Sequence, residues 1–308
     1  MQWSLVRLLL REARGDDTLL IFLSIYRATI FSRRIARILG AVPGRGPIHV
    51  FHAELAALGR PRRRNPLLRL FDLAAAFHHV AAMGDRVVLL ERSIREAFLR
   101  EFPGFRDLAL LWPHPVPGVG VAARHRSPDV VSFGFLGFAA ESKGFDRFQG
   151  VAAAVRDELG SRVSFRAIGH TEYDAVRIEP HQALDIQPRR APWPRDEFLA
   201  AAGDLDFVCL FYDADYYRFV ASGVLLDAVA LGKPVVAPRI RLVEALAEEF
   251  GEIGMLYEPD SGPTTAVREA IAIAGTPRYR HMVANLKRLA QARGVRSLAE
   301  RIARDLAA

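Results

Sequence analysis

Short apolar runs alternate with segments of helix length along nearly the whole chain. "PIHVFHA", "RVVLLE" and "LALLW" occur in the first part; "VVSFGFL", "VSFRAIG", "DFVCLF", "PVVAP" and "GMLYE" follow in the second. Runs of this kind, apolar on both sides of the backbone, belong to strands covered on both faces. Parallel neighbours also need a crossover, which the intervening segments supply. The pattern therefore predicts βαβ units with parallel sheets, and not hairpins.

The expected helices are 3–14, 26–39, 66–83, 92–101, 144–159, 195–202, 223–231, 241–250, 264–274, 279–292 and 296–306, with a further strand at 18–24. Between the two series lies "PHPVPGVGVAARHRSPD", residues 113–129, with four prolines and two glycines. Such composition marks a linker. It divides the 308 residues into a domain at 1–120 and a second at 121–308, whose last helices are expected to pack back on the first. The fold class expected is α/β, with two Rossmann-like doubly wound domains facing a cleft. Ligands of such sheets bind beyond the carboxyl ends of the strands.

Charge is unevenly shared. Residues 1–115 hold 18 arginines, no lysine and 10 acidic residues; residues 116–308 hold 24 Lys or Arg against 25 acidic residues. The surplus in the first part suits an anionic membrane surface or a pyrophosphate-bearing lipid acceptor, with Arg60, Arg62, Arg63 and Arg64 as the densest patch. No nucleic-acid motif accompanies it, so no nucleic-acid partner is expected. The single cysteine, Cys209, sits in "FVCLF" and reads as a buried apolar residue. The start "MQWSLVRLLLREARGDD" breaks any export-signal core with charges, and "TLLIFLSIY" falls short of the ~20 residues of a membrane span. A cytoplasmic protein, with peripheral attachment at the inner face of the membrane, is expected.

Two stretches carry the chemistry. In "GFLGFAAESKGFDRF", Gly134 and Gly137 end a strand and Lys143 stands at the entrance to the next helix. Gly137 permits a sharp turn or a close ligand, and an ammonium beside a helix start suits a diphosphate. The spacing is neither a Walker A loop nor G-x-G-x-x-G. In "YYRFVASGVLLDAVALGKPVVAP", Ser222 and Gly223 cap a helix whose first amides would welcome phosphate. Asp227 lies one turn deeper on the same face, where a carboxylate can accept from a ribose diol and needs a partner in an otherwise apolar helix.

The ordered spacing of these blocks resembles the GT-B glycosyltransferases of the "group 1" set over about residues 128–275. The family's Gly-Arg-Leu, spacer and Glu-Lys-Gly stand here as Gly137-Phe138-Ala139 and Glu141-Ser142-Lys143-Gly144. Its later Ala-x-x-x-Gly-Lys-Pro-Val is matched within "SGVLLDAVALGKPVVAP". Phe138 stands for the family's diphosphate arginine, Phe219 for the first of its two glutamates and Asp227 for the second. The resemblance implies that Gly137, Lys143 and the Ser222, Gly223 and Val224 amides contact the donor diphosphate, and that Asp227 takes the ribose. It also implies that Gly169 and His170 lie near the base. Arg218 is a replacement cation by sequence proximity, Tyr216 and Tyr217 are candidate lining residues, and Glu244 falls near a donor-side turn.

The first domain is expected to bind the acceptor. In "HVFHAEL", His52 and Glu54 point to one side of an extended strand end, and His52 joins Lys143 as a candidate catalytic residue. No metal site is expected at His78 and His79, which lack a matching ligand set. The chain opens on a helix where the family opens on a strand, so the first βα unit is expected to be missing. The function implied is transfer of a sugar from a nucleotide-sugar donor to a glycan or lipid-linked acceptor hydroxyl, with retention of configuration and no tightly bound cofactor. Bacterial surface polysaccharide or glycolipid synthesis is the expected setting. The alternatives are a non-catalytic GT-B module binding a nucleotide or partner, and a GT-B sugar-nucleotide epimerase.

Overall fold

The computed structural model describes residues 7, 11, 21–23, 27–40, 46–52, 54–59, 73–118, 129–171 and 181–307. The chain divides into two compact units. The first comprises Met1–His114, Asp215–Ala221 and Glu300–Ala308; the second comprises Pro115–Ala214 and Ser222–Ala299.

In the first unit, β1 (Ile21–Leu23), β2 (Ile48–Val50), β3 (Arg86–Leu89) and β4 (Ala109–Leu111) form a parallel sheet in the order β1-β2-β3-β4. Helices α1 (Arg27–Ile38), α2 (Leu73–Ala82) and α3 (Arg92–Glu101) alternate with them. Val87, Val88 and Leu89 of β3 are each fully buried, the two-faced burial that the unbroken apolar run "RVVLL" requires. Phe77 meets Phe51, Phe98 and Phe105 edge-on, at ring separations of 5.1, 4.9 and 5.8 Å. Phe219 and Ala221, remote in sequence, complete this core.

Asp85 is buried between Arg33 of α1 (3.2 Å) and His49 of β2 (3.0 Å). Such a group contributes little net stability, but losing one member strands the others without a partner in a dry interior. The chain's end also returns here. Asp305 of α10 (Val295–Ala307) accepts from Trp112 Nε1 at 2.7 Å, and its carbonyl accepts from Arg86 at 3.0 Å.

In the second unit, β5 (Val131–Phe138), β6 (Val163–His170), β7 (Phe207–Cys209), β8 (Val235–Pro238) and β9 (Gly254–Tyr257) form a parallel sheet in the order β6-β5-β7-β8-β9. Its helices are α4 (Phe145–Leu159), α5 (Arg195–Gly203), α6 (Gly223–Ala230), α7 (Arg241–Phe250), α8 (Thr264–Ile273) and α9 (Pro277–Ala292). The sheet winds outward in both directions from the β5–β7 pair. Phe133 is in register with Phe165 and with Phe207, and the three rings stack across the strands at 5.3 and 5.4 Å. Gly134 has no room for a side chain: a Cβ there would lie 2.1 Å from Leu205 Cδ1.

Several sequence expectations meet detail here. The strand expected at 18–24 is seen as Ile21–Leu23, paired to β2. Apart from Arg7 and Arg11, both helical, residues 1–20 lie outside the described residues, and with them the expectation of a missing first βα unit. The arginine patch at 60–64 lies outside them too. The irregular stretch after β6 is not wholly free-running. Ile186 and Arg189 make parallel bridges to Arg166 and His170, covering the outer edge of β6.

Candidate functional site

The carboxyl ends of β5 and β7 are the place where the second sheet reverses its winding. A crevice opens at such a switch point because the connections leave it on opposite faces. Gly137, at the end of β5, has φ +87°, a conformation that only glycine adopts without strain. A Cβ on it would lie 3.3 Å from Val224 Cγ2, so the end of β5 stands directly against the first turn of α6. Gly169 faces Gly137 across the ladder, where a Cβ would fall 1.9 Å from the Gly137 carbonyl oxygen.

Beyond β5 the chain makes a 3-10 turn, Glu141–Lys143. The sequence places Lys143 at a helix entrance. In the structure the half-buried Lys143 closes the 3-10 turn, and left-handed Gly144, φ +77°, separates it from α4. A Cβ on Gly144 would lie 2.2 Å from the Phe211 carbonyl oxygen, so the lysine turn is seated on the segment leaving β7. The next residue, Tyr212, hydrogen-bonds through its hydroxyl to Ser222 Oγ. Contacts thus run from the lysine turn through Phe211 and Tyr212 to the start of α6.

Ser222 is the N-cap of α6, its Oγ accepting from the Leu225 amide at 3.0 Å. Gly223 is exposed, and a Cβ placed on it would meet nothing within 4 Å. The helix start is therefore an open set of amides beside Gly137, with the positive end of the helix dipole behind them. One turn further in, Asp227 is 16% exposed, and its Oδ1 accepts from Arg195 Nη2 of α5 at 2.7 Å. That is the partner the apolar helix demanded.

Gly169 is also enclosed on its other side. Its carbonyl accepts from Trp193 Nε1 at 3.0 Å and from the Arg189 amide at 2.9 Å, and the Arg189 guanidinium lies 3.4 Å over the Trp193 ring. Phe138 packs against the His170 ring at 5.5 Å. Lys233, in the Gly-Lys-Pro segment after α6, donates to the Gly203 carbonyl at 2.6 Å. Burial lowers its pKa, with Asp206 and Asp204 pulling the other way, so it is a structural lysine. Burial pushes the Cys209 thiol well above its ordinary range, which leaves it protonated and unreactive at neutral pH. Glu244 lies in the first turn of α7, 3.9 Å from Arg239.

The remaining sequence candidates belong to the first unit. Arg218, placed by sequence proximity near the α6 start, pairs with Glu101 of α3 at 2.9 Å and lies over the Phe219 ring. The reason is Phe219 itself: fully buried in the first unit's core, it draws the preceding turn with it. Tyr217 is buried with it and Tyr216 is 40% exposed. His52 is exposed just beyond β2, with its ring 5.5 Å from that of His114. Glu54 does not continue an extended strand as expected. It starts a 3-10 turn, and its carboxylate accepts from the His52 amide at 2.9 Å. Among the described residues no group of three His, Cys, Asp or Glu could hold a metal, and no helix is long and apolar enough to cross a membrane.

Sequence reasoning missed Arg195, Tyr212 and His114. A signal for Arg195 was present: an arginine opening a helix after Pro194 opposes the helix dipole, which invites a search for a partner carboxylate.

No protein-family model matches the chain, and no curated protein matches it either. Solved structures do. A glycosyltransferase from Rickettsia africae superposes with a TM-score of 0.69 at 11% identity, over 98% of this chain and 80% of that one. HepE of Anabaena, in complex with UDP, gives 0.68 at 18% identity, over 98% and 81%. An α,α-trehalose-phosphate synthase (UDP-forming) from Burkholderia xenovorans, in complex with glucose-6-phosphate, gives 0.62 at 13% identity, over 99% and 77%. The chain has the fold of these GT-B glycosyltransferases, two Rossmann-like α/β units.

Proposed function

We propose that this protein is a glycosyltransferase that moves a sugar from a nucleotide-sugar donor to an acceptor hydroxyl. The observation that carries the reading is the switch point of the second unit, where Gly137 stands against the open α6 start and the Lys143 turn is linked to it through Phe211 and Tyr212. Structures of HepE hold UDP and UDP-glucose, and a nucleoside diphosphate is the chemistry such a site fits. In this reading the Gly223 and Val224 amides and the Lys143 ammonium hold the diphosphate, Ser222 sets the helix start, and Gly137 lets the ligand approach the backbone. Asp227 takes the ribose diol, and Gly169 shapes the floor on the base side. The leaving diphosphate gains negative charge as the glycosidic bond breaks, and preorganised amides with an ammonium stabilise that charge. His52 is the acceptor-side residue. The arginine surplus of the first part suits a lipid-linked or glycan acceptor at an anionic membrane.

Calorimetry with UDP and uridine tests the donor site. Lys143→Ala should weaken UDP by roughly tenfold to a hundredfold, the worth of one charge-assisted hydrogen bond, and leave uridine nearly unchanged. Wild-type affinity for UDP in that variant removes the lysine from the site. The membrane part is checked by sedimentation with vesicles containing anionic lipid. Binding should fall as salt rises, and binding indifferent to salt and lipid charge counts against it.

A second reading has its own support. Phe219 stands where the resemblance expects a glutamate, and it is fully buried in the first unit's core, so no acid is available from that position. A non-catalytic nucleotide-binding module follows if UDP binds with the stated dependence on Lys143 while UDP-sugars are neither transferred nor hydrolysed.

A further inference from the structure

Asp227 poses an electrostatic conflict. It stands one turn from the α6 amides, and a lone carboxylate there repels the diphosphate those amides attract. Arg195 answers it from another helix, Nη2 to Oδ1 at 2.7 Å, and no partner for Oδ2 is found among the described residues. The need of the 16% exposed Asp227 for a partner explains the pair only in part. Arg195 is 50% exposed, and exposed pairs of this kind contribute little to folding. Within α5 the Arg195 guanidinium lies 5.4 Å over the Phe198 ring, an exposed contact of small worth, while the first turn already holds Asp196 and Glu197 and its dipole gains nothing from a cation.

We propose that Arg195 is a positioning residue of the donor site, cancelling the Asp227 charge toward the diphosphate and turning its second carboxylate oxygen to the ribose. The proposal rests on the nucleotide-sugar reading. It gives the chain a donor-site residue outside every motif of the resemblance. It also accounts for the aspartate: with one methylene less than glutamate, Asp227 is held at fixed reach by a side chain anchored 32 residues upstream.

The test is calorimetry on the full chain with three probes, UDP, uridine and inorganic pyrophosphate, at low and high salt. The variants are Arg195→Ala, Arg195→Lys, Asp227→Ala and the double variant Arg195→Ala/Asp227→Ala. Arg195→Ala should weaken UDP and pyrophosphate by about tenfold at low salt, as an unmasked charge within several ångströms would, and less at high salt. Arg195→Lys should recover most of the pyrophosphate affinity and less of the uridine affinity, because an ammonium restores charge without the planar geometry. The double variant should bind pyrophosphate as wild type does yet remain weak for uridine. Melting temperatures of Asp227→Ala and the double variant should stay close to wild type, with at most a modest drop for Arg195→Ala, which leaves the carboxylate without its counter-charge. Failure of wild type to bind UDP, or Asp227→Ala binding uridine like wild type, sinks the underlying site reading. If Asp227→Ala does weaken uridine, the Arg195 proposal itself is overturned in either of two ways. One is Arg195→Ala binding all three probes as wild type or more tightly. The other is the double variant failing to recover pyrophosphate.

Discussion

Asp185 shows how a single side chain ties an irregular segment to the sheet. Its oxygens accept from Arg156 Nη2 at 2.7 and 2.6 Å, and Oδ2 also accepts from the Phe165 amide of β6 at 3.0 Å. Burial opposes its ionisation, but hydrogen bonds from Arg156 and Ser164, the Arg156 charge and the Phe165 amide outweigh that, so its pKa lies below the ordinary 3.8. The folded state thus binds a proton less readily than the unfolded chain. Its contribution to stability is complete above the unfolded value and is lost as pH falls through the lowered one. Asp185→Asn should therefore melt below wild type at about pH 6, with the gap closing toward about pH 3. A gap that stays constant through the acid range means that the carboxylate charge is not what holds this segment.

Helix α6 is eight residues long, so its first turn is half of it and its cap matters in proportion. Ser222→Ala removes an N-cap, which costs about 0.5–2 kcal/mol. It also leaves the buried Tyr212 hydroxyl without its serine partner. Tyr212→Phe should cost less than Ser222→Ala, because it removes the hydroxyl's bond to Ser222 Oγ but leaves the cap on the Leu225 amide in place. Thermal melts of the two single variants check this; a Tyr212→Phe variant as unstable as Ser222→Ala would show that the shared hydroxyl bond, and not the cap, is what counts. The element scale is also where sequence reading was most and least informative. Gly137, Lys143, Ser222, Gly223, Val224 and Asp227 stood out because turn glycines, caps and a lone acid in an apolar helix have local signatures. Nothing local separated a lysine in a 3-10 turn from one opening α4, since both follow a strand and precede the same helix.

Across the molecule the chain passes between its units more often than one linker suggests. Residues 215–221 belong with the first unit, and Phe219 is among its fully buried side chains. Phe219→Ala should cost about 3–5 kcal/mol, and the cost should fall on that unit. Amide exchange reads the difference: protection should drop in β2 and β3 and persist in β5 and β6. An equal loss in both sheets would show that the units unfold as one.

Periodicity alone establishes the parallel α/β class, because buried strands and covering helices each leave a mark within a few residues of themselves. The pairing of Arg195 with Asp227, the seat of Gly144 on Phe211 and the return of 215–221 and 300–308 to the first unit were decided only in three dimensions. Each joins residues far apart in the chain, and such a contact is selected by the shape and charge of a surface that exists only after the sheets have formed.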